Sequence, residues 1–209
     1  MARVSQQHLD ARRRQILDAA ALCFARNGFH ATSMQDVLKE ADLSAGAVYR
    51  YFSGKDELIR AIVTEVLDEV RGAFEQAARL SPPPPPDELV GSVLGRALGA
   101  RASLTCDGEP AFPRLVVQVW AETLRDKELA ATMHEGYSRV HDGWMTLVRA
   151  YQDSGMMPAD VPPEHVASTM IAAVQGFLVQ QVLFGAAPVA VLQDGLRGLA
   201  GVRGPRSGT

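Results

Sequence analysis

Residues 33–58, SMQDVLKEADLSAGAVYRYFSGKDEL, constrain the chain most, because they permit little beyond two short helices joined by a tight turn. Ser33 followed three residues later by Asp36 is a capping box. It opens a helix with Met34, Val37, Leu38 and Ala41 on one face. Asp42 supplies turn chemistry and Leu43 is left to plug the corner. Ser44 then caps a second short helix, AGAVYRYF, which Ser53 and Gly54 break. Ser53 with Asp56 reads as a second capping box, starting the next helix. Two short helices across a turn of about three residues match a helix-turn-helix, whose second helix enters a DNA major groove.

The second helix has the side chains for that work. Val48 and Phe52, four apart, face the core, leaving Ala45, Gly46, Tyr49 and Arg50 outward. Small residues at 45 and 46 keep the helix start slim, so backbone N–H groups can approach phosphates. Arg50 suits a guanine edge or a phosphate, and Tyr49 and Tyr51 carry hydroxyls on flat apolar rings. Lys55 is a natural phosphate contact.

The run TSMQDVLKEADLSAGAVYRYFSGKDEL closely resembles the DNA-binding signature of the tetracycline-repressor (TetR) family of bacterial transcription regulators. The small residues after Ser44, the Tyr49–Phe52 ending and the lysine–acid–leucine start of the next helix carry the match. With the helix before it, the signature covers roughly the first quarter of the chain; beyond residue 60 only length and helical pattern support the resemblance. It implies phosphate contacts at Thr32, whose hydroxyl would suit them, and a homodimer that reads operator DNA. The expected DNA-facing set is Thr32, Ser33, Ser44, Ala45, Gly46, Tyr49, Arg50, Tyr51 and Lys55.

Charge agrees with a reader confined to one end. The 209 residues carry a net charge of −3, but residues 1–60 hold nine Lys/Arg against seven Asp/Glu, leaving the excess acid to the remainder. With 47% apolar and 22% charged residues the chain can build a real core. Cys23 and Cys106 lie far apart with no metal-ligand spacing, and Cys23 falls in an apolar helix as a small core residue, a sensing thiol being the alternative. Arg12, Arg13 and Arg14 before ILDAAALCFA mimic a signal peptide, but Asp18 interrupts the run and no cleavage site follows. No uninterrupted apolar run reaches a membrane span of roughly 18 residues. A cytoplasmic protein without membrane contact is expected.

Read in order, residues 1–9 look like an arm and the first helix runs over 10–26, ended by Asn27 and Gly28. Arg12, Arg13 and Arg14 sit on successive faces of its start, where at least one can touch the DNA backbone. A long helix over 55–80, with Leu58, Ile62, Val66 and Val70 in one stripe, is a candidate lever between the two halves. Five prolines, 82–86, make a stiff connector rather than a partner motif. Residues 87–105 place Gly91, Gly95 and Gly99 at every fourth position, a small-residue seam. A loop at 106–110, helices at 112–124, 126–153, 164–184 and 189–200, and the tail GPRSGT complete the chain.

The expected fold is therefore all-α, with about nine helices. Residues 1–54 form a three-helix DNA-binding domain, 55–80 a linking helix, and 55–209 a larger ligand-binding and dimerisation domain. The 164–184 helix is apolar nearly all round and must bury two faces, so it and the 189–200 helix are expected to form the two-fold interface, as the resemblance also implies. Trp120, Met133, Tyr137, His141, Trp144 and Phe177 are the candidate lining for a small, largely apolar effector, with Met145, His134 and Gln175 beside them. His134 and His141, two helical turns apart, are too distant to share a metal, and no cofactor is expected. No nucleophile elbow, phosphate loop or placed carboxylate pair points to an enzyme. The function expected is a repressor released from a palindromic operator by a ligand; the alternative is a helix-turn-helix regulator controlled by a protein partner, or an activator.

Overall fold

The structure, a computed structural model, describes residues 6–201. Nine helices and one two-stranded hairpin make up the described residues: α1 (Gln6–Asn27), α2 (Met34–Ala41), α3 (Ala45–Tyr49), α4 (Lys55–Ala77), α5 (Pro86–Gly99), β1 (Thr105–Cys106), β2 (Glu109–Pro110), α6 (Ala111–Glu122), α7 (Lys127–Asp153), α8 (Pro163–Phe184) and α9 (Val189–Gly201). The chain is all-α, with a helix-turn-helix at its N-terminal end and a larger helical remainder. It divides into two compact units, one from the N-terminal end to Arg71 together with Ala100–Val140, the other Gly72–Gly99 with the residues from His141 on.

In the first unit α1 buries Ile16, Leu17, Ala20, Cys23 and Phe24 and packs on both α2 and α6. It begins at Gln6, four residues before its expected start, so the expected N-terminal arm is helical from there on; residues 1–5 lie outside the described residues, as does the tail GPRSGT. Gly28, at φ +80°, ends it, its N–H donating to the Phe24 carbonyl at 2.9 Å. The Gln15 amide donates to the Ala41 carbonyl at 2.7 Å and Arg26 pairs with Glu40 at 3.1 Å, which fixes α2 against α1. The stretch expected as a loop at 106–110 is a hairpin: Asp107 (φ +54°) and Gly108 (φ +82°) form its two-residue turn, with both central φ positive as Asp-Gly favours.

In the second unit the proline run leads directly into α5, with Pro86 as its first residue. The Tyr151 hydroxyl donates to the Pro84 carbonyl at 2.6 Å and holds the connector on α7. Trp144, Leu147, Val148 and Tyr151 of α7 are buried, and the Trp144 ring meets Phe74 edge-on at 5.2 Å. The expected seam on α5 is close only at Gly91, where an added Cβ would stand 2.0 Å from the Gln193 side chain of α9; Gly95 and Gly99 face open space. Two other glycines take close neighbours on α7. Gly143 lies under the Phe74 ring and, in the first unit, Gly136 lies under Leu67, each too near for a Cβ to fit without movement.

One face of α8 is buried through Ala167, Met170, Ile171, Phe177 and Leu178, at helical spacing. Its end carries Leu183 (65% exposed) and Phe184 (82% exposed), and α9 adds Val191 and Leu199, both exposed. By length and composition alone α8 could cross a membrane, a property that core helices of soluble proteins share.

Candidate nucleic-acid interface

The turn between α2 and α3 is built from local chemistry. Ser33 Oγ accepts from the Asp36 N–H at 3.2 Å, while the Asp36 carboxylate accepts from the Ser33 N–H at 2.7 Å and its hydroxyl at 2.6 Å. The Ser33 hydroxyl and then its N–H hold the Asp36 carboxyl below its ordinary range. At the other end the Asp42 N–H donates to the Lys39 carbonyl at 3.2 Å, and the left-handed conformation of Asp42 (φ +53°) turns the Leu43 N–H onto the Leu38 carbonyl at 3.1 Å. Ser44 then caps α3, its Oγ accepting from the Ala47 N–H at 3.4 Å.

α3 is shorter than the expected 45–52: it ends at Tyr49, and the N–H groups of Tyr51 and Phe52 fold back onto the Val48 carbonyl at 2.9 and 3.1 Å. Val48 and Phe52 are buried, with the Arg13 guanidinium 5.4 Å over the Phe52 ring. On the other side Ser44, Ala45, Gly46, Tyr49 and Arg50 are all exposed, Tyr49 by 50%, and Tyr51 is half-buried. Among the described residues Arg50 makes no ion pair with the protein. The segment presents a small-residue start followed by an aromatic hydroxyl and a guanidinium, which can donate to phosphates and base edges.

Two members of the expected set have tasks within the protein. Thr32 is 1% exposed, and its hydroxyl lies 3.1 Å from the Cys23 carbonyl and 2.8 Å from the Gly28 carbonyl. Its hydroxyl is thus a buried brace for the end of α1. Lys55 donates to the Phe29 carbonyl at 2.8 Å and lies 4.8 Å over the Phe29 ring, holding the start of α4 to the α1–α2 turn. The expected Ser53–Asp56 box is also different: Glu57, one residue further, accepts from the Ser53 N–H at 2.7 Å and hydroxyl at 2.8 Å. Those two bonds, the N–H first, hold the Glu57 carboxyl below its ordinary range. Of the three successive arginines, Arg12 donates to Gln15 at 2.8 Å and Arg13 approaches Glu65 at 3.9 Å. Arg14 acts on Asp18, whose pKa is nonetheless raised by burial.

No motif marks the contacts that α6 makes with the α1–α2 turn. Gln118 and Glu122, four apart and so on one face, meet Gly28 and His30. Glu122 is buried, and its carboxylate lies 3.0 Å from His30 Nε2. Arg101 binds Glu69 through two bonds of 2.9 and 3.0 Å while lying 5.0 Å over Phe112, joining α4 to α6.

The candidate effector residues fall in both units. In the first, Trp120 and Met133 are half-buried and Tyr137 is exposed; in the second, His141 is half-buried while Trp144 and Phe177 are buried. Cys23 and Cys106 are both buried thiols, and burial above all pushes Cys23 up to about 11.

Residues 16–62 match the family described as bacterial regulatory proteins, tetR family, and residues 100–201 match the BetI-type transcriptional repressor C-terminal family. The HTH-type transcriptional regulator YfiR of Bacillus subtilis is 45% identical over 76 residues; the match takes in 36% of this chain and 37% of that relative, about a third of its length. The solved structure of Salmonella enterica GusR superposes with a TM-score of 0.70 at 27% identity, covering 95% of this chain and 99% of that one. Bacillus subtilis FadR, solved in complex with stearoyl-CoA, shares the fold at 16% identity with a TM-score of 0.70, over 90% of this chain and 96% of that one. TetR-family regulators bind operator DNA and small-molecule effectors as dimers. The two family models together match most of the chain, one of them on the very helices that expose Tyr49 and Arg50, and the chain belongs to the TetR family: it is a helix-turn-helix transcriptional regulator, not an enzyme.

Proposed function

We propose that this chain is a homodimeric repressor that leaves a palindromic operator when a small, largely apolar molecule binds it. The observation that carries the reading is α3, which buries Val48 and Phe52 while leaving Ala45, Gly46, Tyr49 and Arg50 exposed. Ser33, Ser44 and Tyr51 stand beside them as operator contacts. Lys55 joins them only where its ammonium, which already donates to the Phe29 carbonyl, has an N–H left for a phosphate. Residues 1–54 are the reading head, α4 the link, and the rest the effector-binding and dimerisation part.

Dimerisation through α8 and α9 is supported by what those helices leave uncovered, since Leu183, Phe184, Val191 and Leu199 are exposed. A soluble dimer also accounts for an apolar α8 without a membrane, in keeping with a cytoplasmic regulator. A two-fold axis would place two copies of α3 roughly 34–36 Å apart, matching successive major grooves. Trp120, Met133, Tyr137, His141, Trp144 and Phe177 are the effector residues. The stearoyl-CoA bound to FadR supports a ligand with a long apolar chain in this fold. The effector acts only by its difference in affinity for the two states of the dimer.

Sequencing the genomic fragments that the protein retains, then adding compounds that carry a long apolar chain, such as fatty acids and long-chain acyl-CoA, tests this. A two-fold symmetric site released by such a compound is the expected result. Retained fragments without symmetry, or retention indifferent to every compound, would contradict the reading.

A further inference from the structure

We infer that Asp87 and Gly91 of α5, with Gln193 and Arg197 of α9, form a lock that sets the position of α9 and thereby the strength of the dimer; this rests on the proposed dimerisation through α8 and α9. On each helix the two residues are four apart, so each pair shares one face. Arg197 Nε donates to Asp87 Oδ2 at 3.0 Å, and the Gln193 amide donates to the Asp87 backbone carbonyl at 3.3 Å. Gln193 comes this close because position 91 has no side chain: a Cβ there would lie 2.0 Å from its Nε2.

α9 packs against α5 with Val189, Leu192, Gln193 and Leu196 half-buried, but none of its residues is fully buried, so the polar contacts add to a shallow apolar seam. Asp87 is buried, with its side chain 12% exposed, whereas Arg197 is 63% exposed. Removing the arginine leaves a buried carboxylate without its counter-charge, a strained arrangement that favours movement of α9. Asp194 also accepts from Arg197, at 3.1 Å, and keeps its guanidinium turned toward α5. At about 3.6 residues per turn, Val191, Gly195, Gly198 and Leu199 lie on the side of α9 away from the lock. Val191 and Leu199 are exposed, and a Cβ at Gly195 or Gly198 would meet open space. The lock therefore decides where this bare face of small and apolar residues stands. Asp87, Gly91, Gln193 and Arg197 are positioning residues of the interface without being part of it.

The test is the dimer dissociation constant of the full chain by sedimentation equilibrium, with helix content followed by circular dichroism. The variants are Arg197→Ala, Gln193→Ala, Gly91→Ala, Arg197→Lys, and Leu199→Asp as a direct block of the bare face. The lock predicts that Arg197→Ala with Gln193→Ala weakens the dimer about tenfold or more at unchanged helix content. Gly91→Ala should act in the same direction by displacing Gln193, and Arg197→Lys should recover most of the affinity. A dissociation constant within about twofold of the parent for the lock variants, while Leu199→Asp separates the subunits, would overturn the lock and leave the dimer reading standing. A monomeric parent, or a dimer that Leu199→Asp leaves intact, would overturn the interface reading and the lock with it.

Discussion

Cys23 sits on α1 nine residues before Thr32, whose hydroxyl braces the Cys23 carbonyl, so the thiol and the hydroxyl belong to one buried joint. Burial pushes the thiol up to about 11, which leaves it protonated and unreactive at neutral pH. Native protein at pH 8 should therefore leave Cys23 untouched by a thiol-specific disulfide reagent, with labelling appearing only on unfolding. Rapid labelling of native protein would exclude a buried joint. The folded value exceeds the unfolded value of about 8.5, so the folded state holds the proton more tightly. The matching stability is present below pH 8.5 and falls as pH rises toward 11. Tyr151, pushed up to about 12 by burial, adds a loss of the same sign at still higher pH. At this scale the sequence is readable where a single candidate partner lies near in the chain. Ser33 and Asp36 are three apart, and the box was legible; Ser53 has carboxylates both three and four residues on, and spacing alone could not choose Glu57. The burial of Thr32 and the pairing of His30 with Glu122 depend on how distant segments fold together, which no local pattern encodes.

At the scale of elements, helical periodicity located every helix, and most boundaries moved by only a few residues, as fraying and capping allow. The hairpin leaves no periodic trace although Asp107-Gly108 is a strong turn signal, because its strands are two residues each and too short to alternate. Glycines show the limit most clearly. Gly91, Gly95 and Gly99 share a spacing, yet only Gly91 has a close neighbour, whereas Gly136 and Gly143 lie under Leu67 and Phe74 without any marked pattern. Identical substitutions should therefore have opposite signs. Gly95→Ala, facing open space in the interior of α5, should stabilise the protein by up to about 1 kcal/mol through helix propensity. Gly143→Ala would set a Cβ 2.9 Å from the Phe74 ring, which also packs on Trp144, and should destabilise it by roughly 1–3 kcal/mol. Urea unfolding of the two variants checks this; equal shifts of the same sign would mean that α4 does not press on α7 at Gly143.

For the whole molecule, the family and the location of the reading head were legible because the helix-turn-helix is specified by caps, turns and exposed side chains within 26 consecutive residues. The proposed effector residues are not legible in the same way, since the six, spread over residues 120–177, share no motif. The charge pattern adds a directional expectation. The first 60 residues are net basic while the rest of the chain is net acidic, so affinity for DNA should reside in the N-terminal end and weaken with salt. The most direct measurement is a titration of the protein onto the DNA upstream of its own gene, beside a Tyr49→Ala, Arg50→Ala double variant, across a salt series. Specific binding at nanomolar concentration by the parent, weakening as salt rises and lost in the variant, is the predicted result. Equal binding by both proteins at every salt concentration would contradict the assignment of α3 as the element that reads DNA.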